Sequence, residues 1–250
     1  MPFLKTVAER RLQPEIIDQP ELAPDLLRPA LRGLERINWW SGSARIVWPP
    51  IKALAGRLGP RPLRVLDLAT GAGDVPIRLA LKARHAGLPM HIAGCDKNAH
   101  AIAFARQRAA DADVPVQFFV WDALQGSLPG ESDVVMCSLF LHHLEERQAV
   151  AFLRNMAEAA RQMVLVNDLV RSRSGFVLAY LGTRVLSGSP VVHTDGPRSV
   201  EGAFTVREAG NLAAQAGLEG AAVRRRWPCR YLLTWMRGHP QSARNEAGHG

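Results

Sequence analysis

Val65-Leu66-Asp67-Leu68-Ala69-Thr70-Gly71-Ala72-Gly73-Asp74 organises the whole chain. An apolar strand ends in an acid, runs into a turn of Ala, Thr and glycines, and passes at once into an amphipathic helix, Val75 to Ala86. Side chains this small let a nucleotide-like ligand lie directly on the backbone, and the amides that open the next helix face it. On either side the chain alternates. Strands are predicted at 64–68, 91–95, 116–120, 133–137 and 162–167, with helices at 74–86, 99–110 and 145–160. Such a rhythm predicts a parallel sheet with helices on both faces. Its right-handed crossovers put the ligand at the C-terminal strand ends.

Beyond 168 the rhythm breaks. A helix from Ser174 to Leu186 and a polar Gly/Pro loop, Ser187 to Gly202, form an insertion at 169–203. A helix from Thr205 to Gly217 and two strands, 220–226 and 230–236, complete the sheet. Residues 1–60 read as a helical cap broken by prolines at 14, 20, 24, 29, 49 and 50, with Trp39, Trp40 and Trp48 just before the main domain. The main domain is expected at 61–238 and a disordered, Gly-rich tail at 239–250.

The bulk numbers fit a soluble globular α/β protein, with 250 residues, 47% hydrophobic and 22% charged. The stretch Phe176 to Val192 is interrupted by Gly182, Arg184, Gly188 and Pro190, so no membrane span is expected. The N-terminus lacks the apolar core of a signal peptide, and three cysteines (Cys95, Cys137, Cys229) without a C-x-x-C pattern suit a reducing cytoplasm and no zinc. Net charge is +8, yet lysine occurs only at 5, 52, 82 and 97, and the arginines are scattered without interleaved aromatics. A nucleic-acid partner is therefore not expected.

Four acids mark strand ends or starts in order. Asp67 ends the first strand, Asp96-Lys97 follows the second, Trp121-Asp122-Ala123 follows the third, and Asp133 opens the fourth. The loop after that fourth strand reads Ser138-Leu139-Phe140-Leu141-His142-His143. Together with Ala69, Thr70, Gly71, Gly73 and Asp74, these resemble the motifs of class I S-adenosylmethionine (SAM)-dependent methyltransferases. Ala69, where many members have glycine, is shared with the ubiquinone/menaquinone methyltransferase-like branch. The resemblance implies a Rossmann-like seven-stranded sheet of order 3-2-1-4-5-7-6 with the last strand antiparallel, and SAM as cofactor. It also implies a ribose-binding Asp96 and an adenine-reading Asp122 with Trp121 along the ring. Asp133 reads better as a structural acid. Asp74, by position, reads as the N-cap of its helix.

The fourth-strand loop bears on what is methylated. It has no Asn/Asp-Pro-Pro-Tyr/Phe platform, no Pro-Cys nucleophile and no double-glutamate loop, which favours oxygen or carbon of a small molecule. A phenol must lose its proton as the methyl arrives, and histidine is suited to take it near neutral pH. His142 or His143 is the expected base and Asp168 its partner, with the other histidine capping the helix at 145–160. No metal is expected, the acids being committed to the cofactor. The insertion is expected to roof an acceptor pocket, with Arg171, Tyr180 and His193 on that side and Trp40, the other tryptophans and Arg45 opposite. Asp-Leu-x-Arg at 168–171 and Asp-Gly-Pro-x-Ser at 195–199 also resemble bacterial polyketide-associated methyltransferases. The expected acceptor is a flat aromatic such as a phenol, quinone or polyketide ring.

Overall fold

In the computed structural model the described residues are 7–19, 22–126, 128 and 131–238. Residues 1–6 and the tail at 239–250 lie outside them, and with them the signal-peptide and disorder expectations. The elements are α1 (Pro24–Ser41), α2 (Ser43–Leu58), β1 (Leu63–Leu68), α3 (Asp74–His85), β2 (Met90–Asp96), α4 (Ala99–Asp111), β3 (Val116–Val120), β4 (Ser132–Ser138), α5 (Glu146–Ala159), β5 (Ala160–Leu169), α6 (Arg173–Leu186), α7 (Pro190–Gly202), α8 (Val206–Gln215), β6 (Ala222–Arg226) and β7 (Arg230–Met236).

The sheet runs β3-β2-β1-β4-β5-β7-β6, with β7 antiparallel to both β5 and β6. Fold class and strand order are those implied by the sequence. β1 lies between β2 and β4, in register Asp67 with Gly94 and Met136. Because successive side chains alternate faces, β1 serves two cores. Leu66 and Leu68 join Phe152, Leu153, Leu212 and Tyr231 under α5 and α8. Val65 joins Val47, Ile51, Leu79 and Ile102 under α2, α3 and α4. Strands buried on both faces read as near-continuous apolar runs, which is why the sequence located them.

Three elements depart from the sequence reading. α1 runs through Pro29, and α2 through Pro49 and Pro50. In α2 the buried Ala44, Val47, Ile51 and Leu54 outweigh the lost backbone bonds, and Pro49 faces solvent. The predicted loop at 187–202 contains a helix, α7, opened by Pro190 at its first position and buried through Val191, Val192 and Val200. Its Gly196 is no loop signal. A Cβ there would meet the Thr183 methyl at 2.4 Å, so the glycine lets α6 and α7 cross closely.

Candidate active site

A cleft of about 900 Å³ opens at the C-terminal ends of β1 to β4, roofed by α1, α6 and α7. Its cofactor side is built largely from backbone. After β1 the chain turns through Ala69 (φ 51°), Gly71 (φ 54°) and Gly73 (φ 74°). Gly71 lines the cleft, whereas Gly73 does not. A Cβ on Gly73 would lie 2.6 Å from the Phe118 ring, so this glycine seats the turn against β3. Asp96 accepts from the amides of Gly71 and Asn98, both at 2.9 Å, which ties the β1 and β2 turns together.

Asp67 is fully buried. One oxygen accepts from the Thr70 hydroxyl at 2.7 Å, and the other, Oδ1, is buried without a protein partner. Burial, only partly offset by that hydroxyl and reinforced by the charges of Asp96 and Asp74, pushes its pKa up to about 7. Lys97, Trp121, Asp122, Ala123 and Ser138 line the same side, as do Ala69, Thr70 and Asp74. The Asp74 carboxylate bonds Arg108 and Asn38, and Arg108 also bonds Glu35 of α1. Asp74 is the first helical residue and Gly73 is the N-cap, which corrects the capping expectation. Asp133 lies away from the cleft, paired bidentately with Arg61 at 2.7 and 2.8 Å and accepting from the Arg64 amide.

The acceptor side is built from side chains that are distant in sequence. Asp168, buried on β5, accepts the His142 amide at 3.1 Å through Oδ2, and its Oδ1 lies 2.7 Å from His142 Nδ1. His142 Nε2 lies 3.6 Å from Oε1 of Glu15, and His143 Nδ1 lies 4.0 Å from the same oxygen. Glu15, His142 and His143 all line the cleft, while Asp168 stands behind His142. Burial alone would lower the His142 pKa, but Asp168 and then Glu15, by charge and hydrogen bond, outweigh it and push it up to about 10. The same contacts overcome burial at both carboxylates and hold them below their ordinary values.

Glu15 is the residue that sequence reasoning missed. It is carried in by a strap at residues 10–17 that is sewn to α7 and the histidine loop. Arg10 donates to the carbonyls of Gly202 (2.6 Å) and Leu144 (2.6 Å), and stacks on Phe204. The amides of Ile16 and Ile17 both donate to Asp195, at 3.0 Å each, and Ser199 donates to Glu15 at 2.5 Å. No local motif announces this; the only trace is an acid beside an apolar pair, Glu15-Ile16-Ile17. The ligand atoms of Glu15, His142 and His143 lie within 4.8 Å of one another, so not every nearby acid is committed to the cofactor side. Arg230 was also missed. Buried at the cleft, it donates to Ser41 (2.6 Å) and Ser43 (2.8 Å).

Several expectations fail here. Neither histidine caps α5, whose capping box is Glu145 with Gln148. Arg171 is buried in a bidentate pair with Glu208 (2.7 and 2.9 Å) and a bond to the Ala203 carbonyl, away from the cleft. His193 is bound to the Ser187 carbonyl at 2.7 Å on α7, and Tyr180 stacks under Arg184 on the outer face of α6. Of Trp39, Trp40 and Trp48 only Trp40 lines the cleft, and Arg45 does not. The roof itself is where expected, but Leu178, Ala179, Gly182 and Leu186 supply it.

The strand order, the antiparallel β7 and an acid-lined cleft at the ends of β1 to β4 define the class I methyltransferase fold. A sequence profile of the methyltransferase domain matches residues 65–162. The demethylmenaquinone methyltransferase of Thermus thermophilus is 31% identical over 175 residues, 65% of this chain and 76% of that protein. The ubiquinone/menaquinone biosynthesis C-methyltransferase UbiE of Bradyrhizobium diazoefficiens is 38% identical over 103 residues, and the match spans only 40% of either chain. Magnesium protoporphyrin IX methyltransferase from Synechocystis, solved with S-adenosylhomocysteine, superposes with a TM-score of 0.56 at 17% identity, covering 88% of this chain and 91% of that one. The chain belongs to the class I SAM-dependent methyltransferases.

The residues present fit that cofactor. The unpartnered Asp67 Oδ1 suits a charged N–H donor such as a methionine ammonium. Asp96 already accepts two backbone amides, and a carboxylate has lone pairs left for two hydroxyls. Among the described residues no helix is long and apolar enough to cross a membrane.

Proposed function

We propose that this protein transfers a methyl group from SAM to a hydroxyl oxygen of a small aromatic acceptor, the proton passing to Glu15 while His142 holds the oxygen. The observation that carries this is the line Asp168–His142–Glu15 at the polar corner of an otherwise largely apolar acceptor wall. When bound, SAM supplies an electrophilic methyl on a sulfonium.

With its pKa near 10, His142 is an imidazolium at neutral pH. It therefore acts as a held charge, and the proton-accepting position moves from the imidazole expected in the sequence to Glu15. A hydroxyl within hydrogen-bond reach of both Glu15 Oε1 and His142 Nε2 would donate to the first and accept from the second. As the oxygen gains the methyl its O–H becomes strongly acidic, so a carboxylate suffices as base. Asp168 positions His142 and touches nothing else in the reaction. Leu178, Leu186, Val192 and Trp40 exclude water from a flat apolar ring.

The test is turnover with hydroxylated aromatic acceptors, with the methylated product located by mass spectrometry and NMR. An aryl methyl ether is expected, with turnover unchanged by EDTA. A methyl on ring carbon would overturn the oxygen assignment. That second reading, C-methylation of a quinol or phenol ring, is favoured by the names of the curated relatives and would use the same polar corner.

A further inference from the structure

Helix α6 packs on α7 and α1, yet it carries apolar side chains on its outer face as well as on the face that meets the cleft. One face, through Leu178, Ala179, Gly182 and Leu186, roofs the cleft. The opposite face carries Val177, Leu181 and Val185 at four-residue spacing, exposed by 49%, 55% and 82%. Only Gly175 and Thr183 of its fourteen residues are buried. Segment 169–188 contains no acid, and beside the buried, Glu208-paired Arg171 it exposes Arg173 and Arg184. Alongside lies α1, whose Arg28, Arg32 and Arg36 recur every four residues on an exposed face. Arg36 donates to the Leu186 carbonyl at 2.7 Å, which brings that basic row to the exposed end of α6. Trp39, 61% exposed, follows one turn on. The described acids of α1 are Asp25, at its start, and Glu35, which is paired with Arg108.

The geometry points to the outer face of α6, flanked by the arginine row of α1, as a docking surface for an anionic lipid bilayer. Exposed aliphatic residues at helical spacing, an aromatic at the rim and arginines with little local acid are the chemistry of a helix lying in a membrane interface. Charge selects this occupant over a second copy of the chain, because two such faces would bring like-charged arginine rows together. Docked this way, the inner face of α6 still roofs the cleft, so an apolar acceptor could pass from lipid beneath the lid. The proposal stands whatever the acceptor proves to be.

The experiment is sedimentation of the full chain with vesicles of phosphatidylcholine alone and of phosphatidylcholine with one third phosphatidylglycerol. Binding is expected to the anionic vesicles and to fall steeply with added salt. Leu181→Glu with Val185→Glu should weaken it at least about tenfold, and Arg28→Gln with Arg32→Gln by roughly the same factor. SAM affinity and thermal midpoint, unchanged in both, show that the variants are folded. Equal binding to the two vesicle types, or binding insensitive to the Leu181/Val185 change, overturns the proposal. So does a solution dimer that Val185→Glu dissociates, since a second copy would then cover the face.

Discussion

The two sides of the cleft are made differently. The cofactor side is lined by turn backbone and by acids at strand ends, and each of its turns is fixed mainly by short stretches of sequence. On the acceptor side, the decisive groups come from 10–17, 142–143, 168 and 178–200, and Arg10 bonds the His142 carbonyl across 132 residues of sequence. The first kind of site is set by short turns at the ends of β1 to β4, each a local stretch of sequence. The second exists only once α7 has captured the N-terminal strap. Binding of cofactor and chemistry on the acceptor should therefore be separable by mutation.

The largest expected effect tests that separation directly. Glu15→Gln keeps the shape but removes the proposed base, and should lower kcat by about 10² to 10³ while SAM affinity stays within about twofold. Isothermal titration beside steady-state kinetics decides it. If SAM binding falls as far as kcat, the two sides are one unit. The pH dependence of stability is a second probe of the same corner. The His142 pKa is raised from 6.5 to about 10, so its stabilisation is full below 6.5 and is lost as pH rises from there through about 10. Glu15 and Asp168 are lowered, so their stabilisation is present above 4.5 and 3.8 and is lost as pH falls through their folded values. Asp67, raised from 3.8 to about 7, loses its stabilisation as pH rises between those values, so thermal midpoints should peak near pH 4.5 and fall on both sides, and His142→Gln should flatten the limb above pH 6.5.

Asp96→Ala probes the other side. If Asp96 takes both ribose hydroxyls, as its place at the end of β2 implies, two charge-assisted hydrogen bonds at about 1.5–3 kcal/mol each predict a rise in the SAM Kd on the order of a hundredfold or more. With saturating SAM, kcat should stay within severalfold. A large kcat loss at saturation would show that the β1–β2 turns also position the acceptor.

The same division decides what the sequence could reveal. Of the twelve residues assigned to the cofactor, all but Gly73 line the cleft, because strand, acid and turn are local signals. On the acceptor side, His142 with Asp168 was legible from a loop and a strand end, but Glu15 was not. α7 was hidden by Gly196-Pro197, which reads as a turn and serves a helix crossing. Tyr180 turns outward under Arg184: the apolar residues of α6 fall on more than one face, and periodicity does not say which face meets the cleft. Arg171 and His193 were assigned by chemistry alone, and long-range partners, Glu208 and the Ser187 carbonyl, claim them.

Gly73→Ala should destabilise the protein without reaching the acceptor side. It sets a Cβ 2.6 Å from the Phe118 ring at φ 74°, so a loss of about 2–3 kcal/mol is expected in denaturant melts. A loss well under 1 kcal/mol would mean that Phe118 has room to move and that the turn is less constrained than its geometry implies.

Ala69→Gly should give the smallest effect and the most specific one. Ala69 sits at φ 51° on the cleft floor, a conformation that costs a residue bearing Cβ about 1–2 kcal/mol. Glycine removes that strain but adds about 0.5–1 kcal/mol of unfolded-chain entropy. The net change should be a stabilisation of less than about 1 kcal/mol, with SAM affinity within about threefold. Leu139, at φ 59° after β4, holds the matching position beside the acceptor. Its amide donates to the Asn167 carbonyl at 2.9 Å, so β5 braces that turn as Asp96 braces the turn after β1. Leu139→Gly would relieve similar strain yet discard a side chain that lines the cleft, and it should lose acceptor KM where Ala69→Gly loses nothing. Equal behaviour of the two would show that strain at strand ends is a property of the sheet, and that it does not separate the two halves of the site.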